Sequence, residues 1–199
     1  MQLRNHFTGI LLAAGLSTRM GSLKSLLTWH NMPLINYQIE SLLAAGVQNV
    51  IVVLGHEATT IAKQKTYPQV NTILNEAYRD GKLTSIQKGI ESVPLDSEVA
   101  VLLGVDQPRS PDTIKHLITE HSSRSPLITV PYQGGHRGHP IIIQRDLFGD
   151  ILKLPKETGN LREVLDKNDS DTLRVRFSSA HVHLDLNMPS DYNSAVTSG

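Results

Sequence analysis

The chain has 199 residues, with 19 Lys+Arg against 19 Asp+Glu, nine His and no Cys. That length suits one domain, or one with a small added lobe. The missing thiols exclude a disulfide framework, a Cys-ligated zinc and a thiol nucleophile. The charge balance argues against a nucleic-acid-coating protein, which carries a basic excess, and leaves local binding of a small anion open.

The first apolar run, Gly9-Ile10-Leu11-Leu12-Ala13-Ala14-Gly15 behind Arg4, admits two readings, a secretory leader or a buried strand. It is short for a leader and has little basic character before it, so a strand over Ile10–Ala14 entering a glycine turn is expected. Leu34, Ile35, Gln38, Ile39, Leu42 and Leu43 recur at helical spacing, predicting a helix over Pro33–Ala45 with Gly46 as its stop. Val50–Leu54 is a β-branched run, the pattern of a strand covered on both faces. A helix is expected over His56–Thr66, a strand over Val70–Leu74, and a helix over Thr84–Ser92 with Thr84 as its cap. Val99–Leu103 is the fourth strand, and Ser110–Glu120 a helix with Pro111 in its first turn. Strand-then-helix alternation of this kind predicts an α/β fold on a parallel sheet with right-handed crossovers.

From residue 126 the pattern changes. Strands are expected over Leu127–Pro131, Pro140–Ile143, Thr172–Arg176 and Val182–Leu184, with helices over Asp146–Leu154 and Asn160–Asn168. No repeat or low-complexity linker separates this half, so residues 1–199 read as one domain. No stretch approaches the ~18 apolar residues of a membrane span, and the lack of Cys fits the cytoplasm.

In an open parallel sheet, ligands sit at the carboxyl ends of the strands, and two features fall there. Leu12–Gly21, with Lys24 beyond it, offers small residues that let backbone N–H groups approach an anion, and two cations, Arg19 and Lys24. It is neither a Walker loop nor a dinucleotide fingerprint, because Gly-Lys-Ser/Thr and Gly-x-Gly-x-x-Gly are both missing. A plain glycine turn with two solvated cations is the competing reading. After the fourth strand, Asp106 in Gly104-Val105-Asp106-Gln107-Pro108 suits a magnesium ion that takes its other ligands from phosphates and water, or a cap for the next helix. Asn75–Ser85 carries polar groups able to read a base or ribose, as many surface loops do.

Together these motifs form a pattern. Leu-Ala-Ala-Gly-x-Ser-x-Arg-Met-Gly-x-x-Lys, from Leu12 to Lys24, resembles the signature of the MobA-like nucleotidyltransferases. The Asn75…Gly81…Ser85…Gly89 spacing is similar to that family's second segment, and Asp106-Gln107-Pro108 to its metal-binding segment. Pro131–Ile141, with Arg137-Gly138-His139-Pro140 inside it, resembles the acceptor motif of the molybdenum cofactor cytidylyltransferase branch. Leu184–Tyr192 is similar to the closing Asp-x-Asp-Thr-Pro-Glu-Asp segment.

The resemblance implies a three-layer Rossmann-like fold, its mostly parallel sheet carrying an antiparallel strand in the C-terminal half. It divides the chain into a nucleotide-binding part, 1–125, and an acceptor-binding part, 126–199. It implies that Leu12, Ala13, Ala14 and Gly15 face base and phosphates, with Ala-Ala-Gly favouring CTP. Arg19 and Lys24 would hold the triphosphate, with Asn75 and Ser85 near the nucleoside. Asp106 would bind Mg2+ together with Asn187 or Asp185. Arg137, Gly138 and His139 would meet a molybdopterin-type phosphate acceptor, with a molybdoenzyme or its chaperone as a further partner. Asn187 stands where the family pattern has a second Asp, and Met188 and Ser190 replace Thr and Glu. Lys156–Arg162 follows the family's Gly-Asp-x-Gly-Ala-Arg only loosely.

Other candidates read more simply. His181-x-His183 would share one strand face, a half-exposed face rather than a metal pair. His136 and His139 fit acceptor binding better than metal binding. Trp29 is expected to pack its loop, and Ser17 lacks a base partner. Two other functions share these residues: a cytidylyl- or uridylyltransferase acting on a sugar or polyol phosphate, and a non-catalytic nucleotide-binding accessory protein of a molybdoenzyme.

Overall fold

The structure, a computed structural model, describes residues 6–64 and 67–197. In chain order the strands and helices are β1 (Phe7–Ala13), β2 (Thr28–Trp29), β3 (Met32–Pro33), α1 (Leu34–Ala44), β4 (Asn49–Leu54), α2 (Ala58–Ile61), β5 (Val70–Leu74), α3 (Lys82–Glu91), β6 (Val99–Gly104) and α4 (Pro111–Arg124). The C-terminal half adds β7 (Ile128–Gln133), β8 (His136–Arg137), β9 (Ile141–Gln144), α5 (Phe148–Leu152), α6 (Leu161–Lys167), β10 (Thr172–Arg176) and α7 (Pro189–Thr197).

One sheet runs through both halves in the order β10-β7-β9-β6-β1-β4-β5, with β8 paired to β7. β1 lies parallel between β4 and β6, while β9 is antiparallel to both β6 and β7. The mostly parallel α/β sheet and its reversed strand are therefore as expected.

Alternation along β1 sorts the core into two layers. Phe7, Leu11 and Ala13 pack with Ile35, Ile39 and Leu42 of α1 and with Ile114 and Leu117 of α4. Ile10 and Leu12 face the other way, against Ile86 and Ile90 of α3, Ile151 of α5 and Val164 of α6. The β-branched runs in β4 and β6 are buried on both faces because helices cover each side.

Several expected boundaries move for local reasons. The helix expected over His56–Thr66 contracts to Ala58–Ile61, because Glu57 takes φ 53° and cannot begin a helix; residues 65 and 66 lie outside the described residues. Thr84 does not cap α3, which begins at Lys82 after Gly81; its hydroxyl donates to Gly81 O at 2.8 Å from within the first turn. Asp146–Leu154 splits into a 3-10 turn over Arg145–Leu147 followed by α5. Asn160 caps α6 in a capping box with Glu163. The strand expected over Val182–Leu184 is a 3-10 turn over Ala180–His183. The carbonyls of Val182 and Leu184 accept from the Arg109 side chain, and the one cross-segment backbone bond, His139 N–H to Val182 O at 3.2 Å, does not extend into a ladder. Among the described residues, no helix is long and apolar enough to cross a membrane.

Candidate active site

β1 and β6 end side by side, with Leu12 in register with Gly104, so the loops that follow them share one crevice. The first loop is closed by its own bonds. Ser17 sits at φ 54°, its carbonyl accepts from Met20 N–H at 3.0 Å, and its hydroxyl accepts from Lys24 N–H at 3.2 Å. Buried Met20 anchors the loop against Leu34 and Leu186. Leu12, Ala13 and Ala14 are buried at the strand end, whereas Gly15 is exposed, and a Cβ built on it meets nothing within 4 Å. The backbone there is open to a ligand.

From this loop Lys24 reaches across 82 residues of sequence to Asp106. Its Nζ donates to Asp106 Oδ2 at 2.8 Å and to Asn187 Oδ1 at 2.9 Å. Exposed Arg19 approaches the same Asn187 oxygen at 3.4 Å. Asn187 is delivered by a backbone bond from Leu186 N–H to Asp106 O at 2.8 Å, and its own N–H is capped by Asp191 at 3.0 Å. Arg19, Lys24, Asp106 and Asn187 thus come together. Asp185 does not join them, since its Oδ1 accepts from Gln107 at 2.9 Å.

Asn75 and Ser85 are also adjacent, and both are buried. Asn75 Nδ2 donates to Thr84 Oγ1 and to Ser85 Oγ, each at 2.9 Å, and its Oδ1 accepts from Ala77 N–H at 3.1 Å. These three bonds pin the loop after β5 onto the start of α3.

Beyond the crevice lies a cavity of about 940 Å³, which Leu12, Lys82, Arg137, Gly138 and His139 help to line. Arg137 donates to Asp166 at 2.6 Å and to Asp169, and Asp169 is shared with Arg174. Those carboxylates raise the Arg137 pKa against the effect of its partial burial. Gly138 is required by packing: a Cβ there would run into Val182 O. Burial lowers the His139 pKa to about 3, with Lys82 and Arg109 adding to the effect and Asp106 opposing it. His136 is exposed on the cavity wall.

His181 and His183 lie in the 3-10 turn, where His183 Nε2 pairs with Gln133 O at 3.1 Å. Among the described residues no group of three or more His, Asp or Glu is placed to hold a metal. Trp29 packs against His30, Tyr37 and Tyr192 as a loop support.

The largest omission from the sequence reading is Arg109, which is 2% exposed. Its guanidinium donates to backbone carbonyls of Pro108 (2.8 Å), His139 (2.8 Å), Val182 (2.7 Å) and Leu184 (3.0 Å). Burial lowers its pKa to about 10, opposed by Asp185 and Asp106, so it stays cationic at neutral pH. One side chain thereby ties the segment after β6 to the loop before β9 and to the 3-10 turn at Ala180–His183 with the residue after it. Gln38 supports it from α1, donating to Gly104 O (3.1 Å) and Gln107 O (2.6 Å) and accepting from Arg109 N–H (3.1 Å). A Gln within the apolar stripe of α1 was the one available signal.

The MobA-like NTP transferase domain family matches residues 9–172. The Escherichia coli molybdenum cofactor cytidylyltransferase is 28% identical over 187 residues, covering 94% of this chain and 93% of that protein. The crystal structure of Rv0371c from Mycobacterium tuberculosis superposes with a TM-score of 0.84 at 23% identity, over 97% of this chain and 98% of that one. A second crystal structure of that protein, in complex with manganese, gives a TM-score of 0.80 at 22% identity, over 98% and 100% of the two chains. With its signature loop, its strand-end aspartate and a family match across most of its length, the chain belongs to the MobA-like NTP transferases and is a nucleotidyltransferase.

Proposed function

We propose that the chain transfers CMP from CTP to the terminal phosphate of a molybdopterin-type acceptor, releasing pyrophosphate, with a divalent ion such as Mg2+. One observation carries this reading: Lys24 Nζ, Asp106 Oδ2 and Asn187 Oδ1 converge within 2.9 Å contacts beside a cavity walled by the Arg137-Gly138-His139 motif. The E. coli cytidylyltransferase, similar over nearly the full length of both chains, supports the choice of CTP and of the acceptor.

The residues present fit a divalent ion. Asp106 and Asn187 aim two hard oxygens at one cation-sized position, held here by the Lys24 ammonium. A hard cation needs only one or two protein oxygens when phosphates and water complete its shell. Manganese in the complex of Rv0371c is compatible with such a donor set. When bound, the ion would neutralise phosphate charge and orient the triphosphate.

The protein's own groups do the rest. Ala13, Ala14 and Gly15 bring the backbone close to the nucleotide, and Asn75 with Ser85 holds the loop beside it. Lys24 turns from Asp106 towards the α-phosphate, where negative charge grows as the new bond forms, and Arg19 holds the departing pyrophosphate. A phosphate monoester has its second pKa near 6 and is already a nucleophile at neutral pH, so no general base is required. Catalysis is positioning plus charge neutralisation. In this reading residues 1–125 hold the nucleotide and residues 126–199 the acceptor, with Arg137 shaping the acceptor wall through Asp166 and Asp169. The reaction belongs in the cytoplasm.

Pyrophosphate release, measured for each NTP with and without molybdopterin, tests the proposal. Release that is specific for CTP and requires the pterin is expected. Transfer to a sugar phosphate instead would overturn the acceptor, and release from another NTP alone would overturn the nucleotide.

A further inference from the structure

Between Asp106 and the acceptor cavity lies an amide that the proposed chemistry leaves unused. Gln107 is 3% exposed, and its side chain touches three separated segments. Oε1 accepts from Gly104 N–H at 3.0 Å. Nε2 lies 2.9 Å from Asp185 Oδ1 and 3.0 Å from His139 Nδ1. Both ends fix the amide orientation, since a backbone N–H needs the oxygen and a carboxylate needs the NH2.

The consequence falls on the imidazole. An amide NH2 only donates, so His139 Nδ1 must accept and the ring proton of the neutral form sits on Nε2. The groups facing the ring, Lys82, Arg109 and His183 against Asp106, together with its burial, keep it uncharged. Nε2 has no bond within the described chain and is not among its buried unpartnered atoms. His139 lines the large cavity, so this N–H opens into it.

We propose that Gln107 is a positioning residue that holds His139 as an uncharged Nε2–H donor in the cavity, to bind an oxygen or ring-nitrogen lone pair of the acceptor. The inference rests on the reading that this cavity takes the acceptor. It assigns His139 neither a general-base role, because Nε2 carries the proton and Nδ1 is occupied, nor the role of a cationic phosphate clamp. A fixed neutral donor selects for a lone pair, a hydroxyl oxygen included, and rejects an acceptor that presents only an N–H at that point. Asp185 in turn holds Gln107 from behind.

NMR of the free protein with 15N-labelled histidine decides the tautomer without any substrate. The Nε2–H form at pH 7 is expected for His139, giving way to a tautomer mixture in Gln107→Met. A charged ring, an Nδ1–H ring, or an unchanged tautomer in Gln107→Met would each overturn the proposal. Gln107→Met removes buried bonds and can weaken the fold, so His139→Gln and His139→Asn supply a second arm. The Gln amide nitrogen falls near the Nε2 position and the Asn nitrogen near Nδ1. His139→Gln should retain acceptor KM within about threefold of wild type, and His139→Asn should raise it tenfold or more, with KM for CTP unchanged in both. Equal KM values for the acceptor in the two variants would overturn the role. Wild-type transfer to a sugar phosphate alone would instead overturn the molybdopterin acceptor, while the NMR result still decides the tautomer.

Discussion

Two cation clusters flank the cavity, and they are built to opposite ends. Around Lys24 the partners are one carboxylate, Asp106, and one neutral amide oxygen, Asn187, with a second cation, Arg19, at 3.4 Å from that oxygen. Among these four side chains positive charge exceeds negative, so in the proposed reaction a triphosphate entering there would gain attraction by displacing the contacts. Around Arg137 two carboxylates, Asp166 and Asp169, meet two guanidiniums, and the charges cancel. Asp169 is held below the usual carboxylate range, first by Arg174 and then by Arg137. A cluster with surplus charge can change partners; a neutral one serves as wall.

The sharpest test of that contrast is Lys24→Ala. Loss of one preorganised electrostatic contact costs on the order of 10²–10³ in rate, so kcat should fall by about that factor with circular dichroism unchanged. Near-normal turnover would break the assignment. Next, Asn187→Asp makes the first cluster resemble the second by adding a negative charge beside Lys24. Equilibrium titration should show Mn2+ binding about tenfold tighter, and CTP binding in the absence of metal weakened to a similar degree, as expected for one added charge at close range.

Stability provides the third test, through two histidines: His139 on the cavity wall, and His121, packed on Phe7 at the far end of β1. Burial lowers His121 to about 4 and His139 to about 3. The unfolded chain therefore binds more protons than the folded one below its ordinary histidine pKa of about 6.5. Stability is complete above that pH and declines as pH falls towards 4, by up to about 1.4 kcal/mol per unit for each histidine. Denaturant unfolding at pH 7, 6 and 5 should show the fall, and a flat profile would refute neutral burial. The smallest effect is expected for Arg137→Ala. Its ion pairs are partly exposed and screened, so the variant should lower Tm modestly, less so in high salt, with kcat close to wild type. A loss of turnover matching that of Lys24→Ala would erase the distinction between the clusters.

The nucleotide-side pattern was legible because it is local. Leu12 to Lys24 is one continuous loop, and the β-branched runs of β4 and β6 announce strands covered on both faces. The segment at 182–184 misled because a polar residue between apolar ones, Val-His-Leu, reads as a strand, while its carbonyls are held by a guanidinium 73 and 75 residues away in sequence. The role of Arg109, and that of Gln107 within its motif, were hidden for the same reason: their partners are backbone groups and side chains on distant segments, and a backbone carbonyl has no residue type to betray it. Helix α7 escaped because it buries no residue fully: its apolar contact is limited to partly buried Tyr192 and Ala195 against Met20, Leu34 and Leu186.

The reversed strand β9 has a consequence for how two loops meet. Leu102 of β6 lies opposite Ile141 of β9 in antiparallel register, so the end of one strand adjoins the beginning of the other. A strand that exits towards Asp106 and a strand that enters from His139 therefore open onto the same rim. Had β9 run parallel, its leading residues would begin at the far rim, a strand's length away, and His139, only two residues ahead of Ile141, would lie there rather than beside Gln107. Direction of travel, as much as residue identity, makes Gln107 and His139 neighbours.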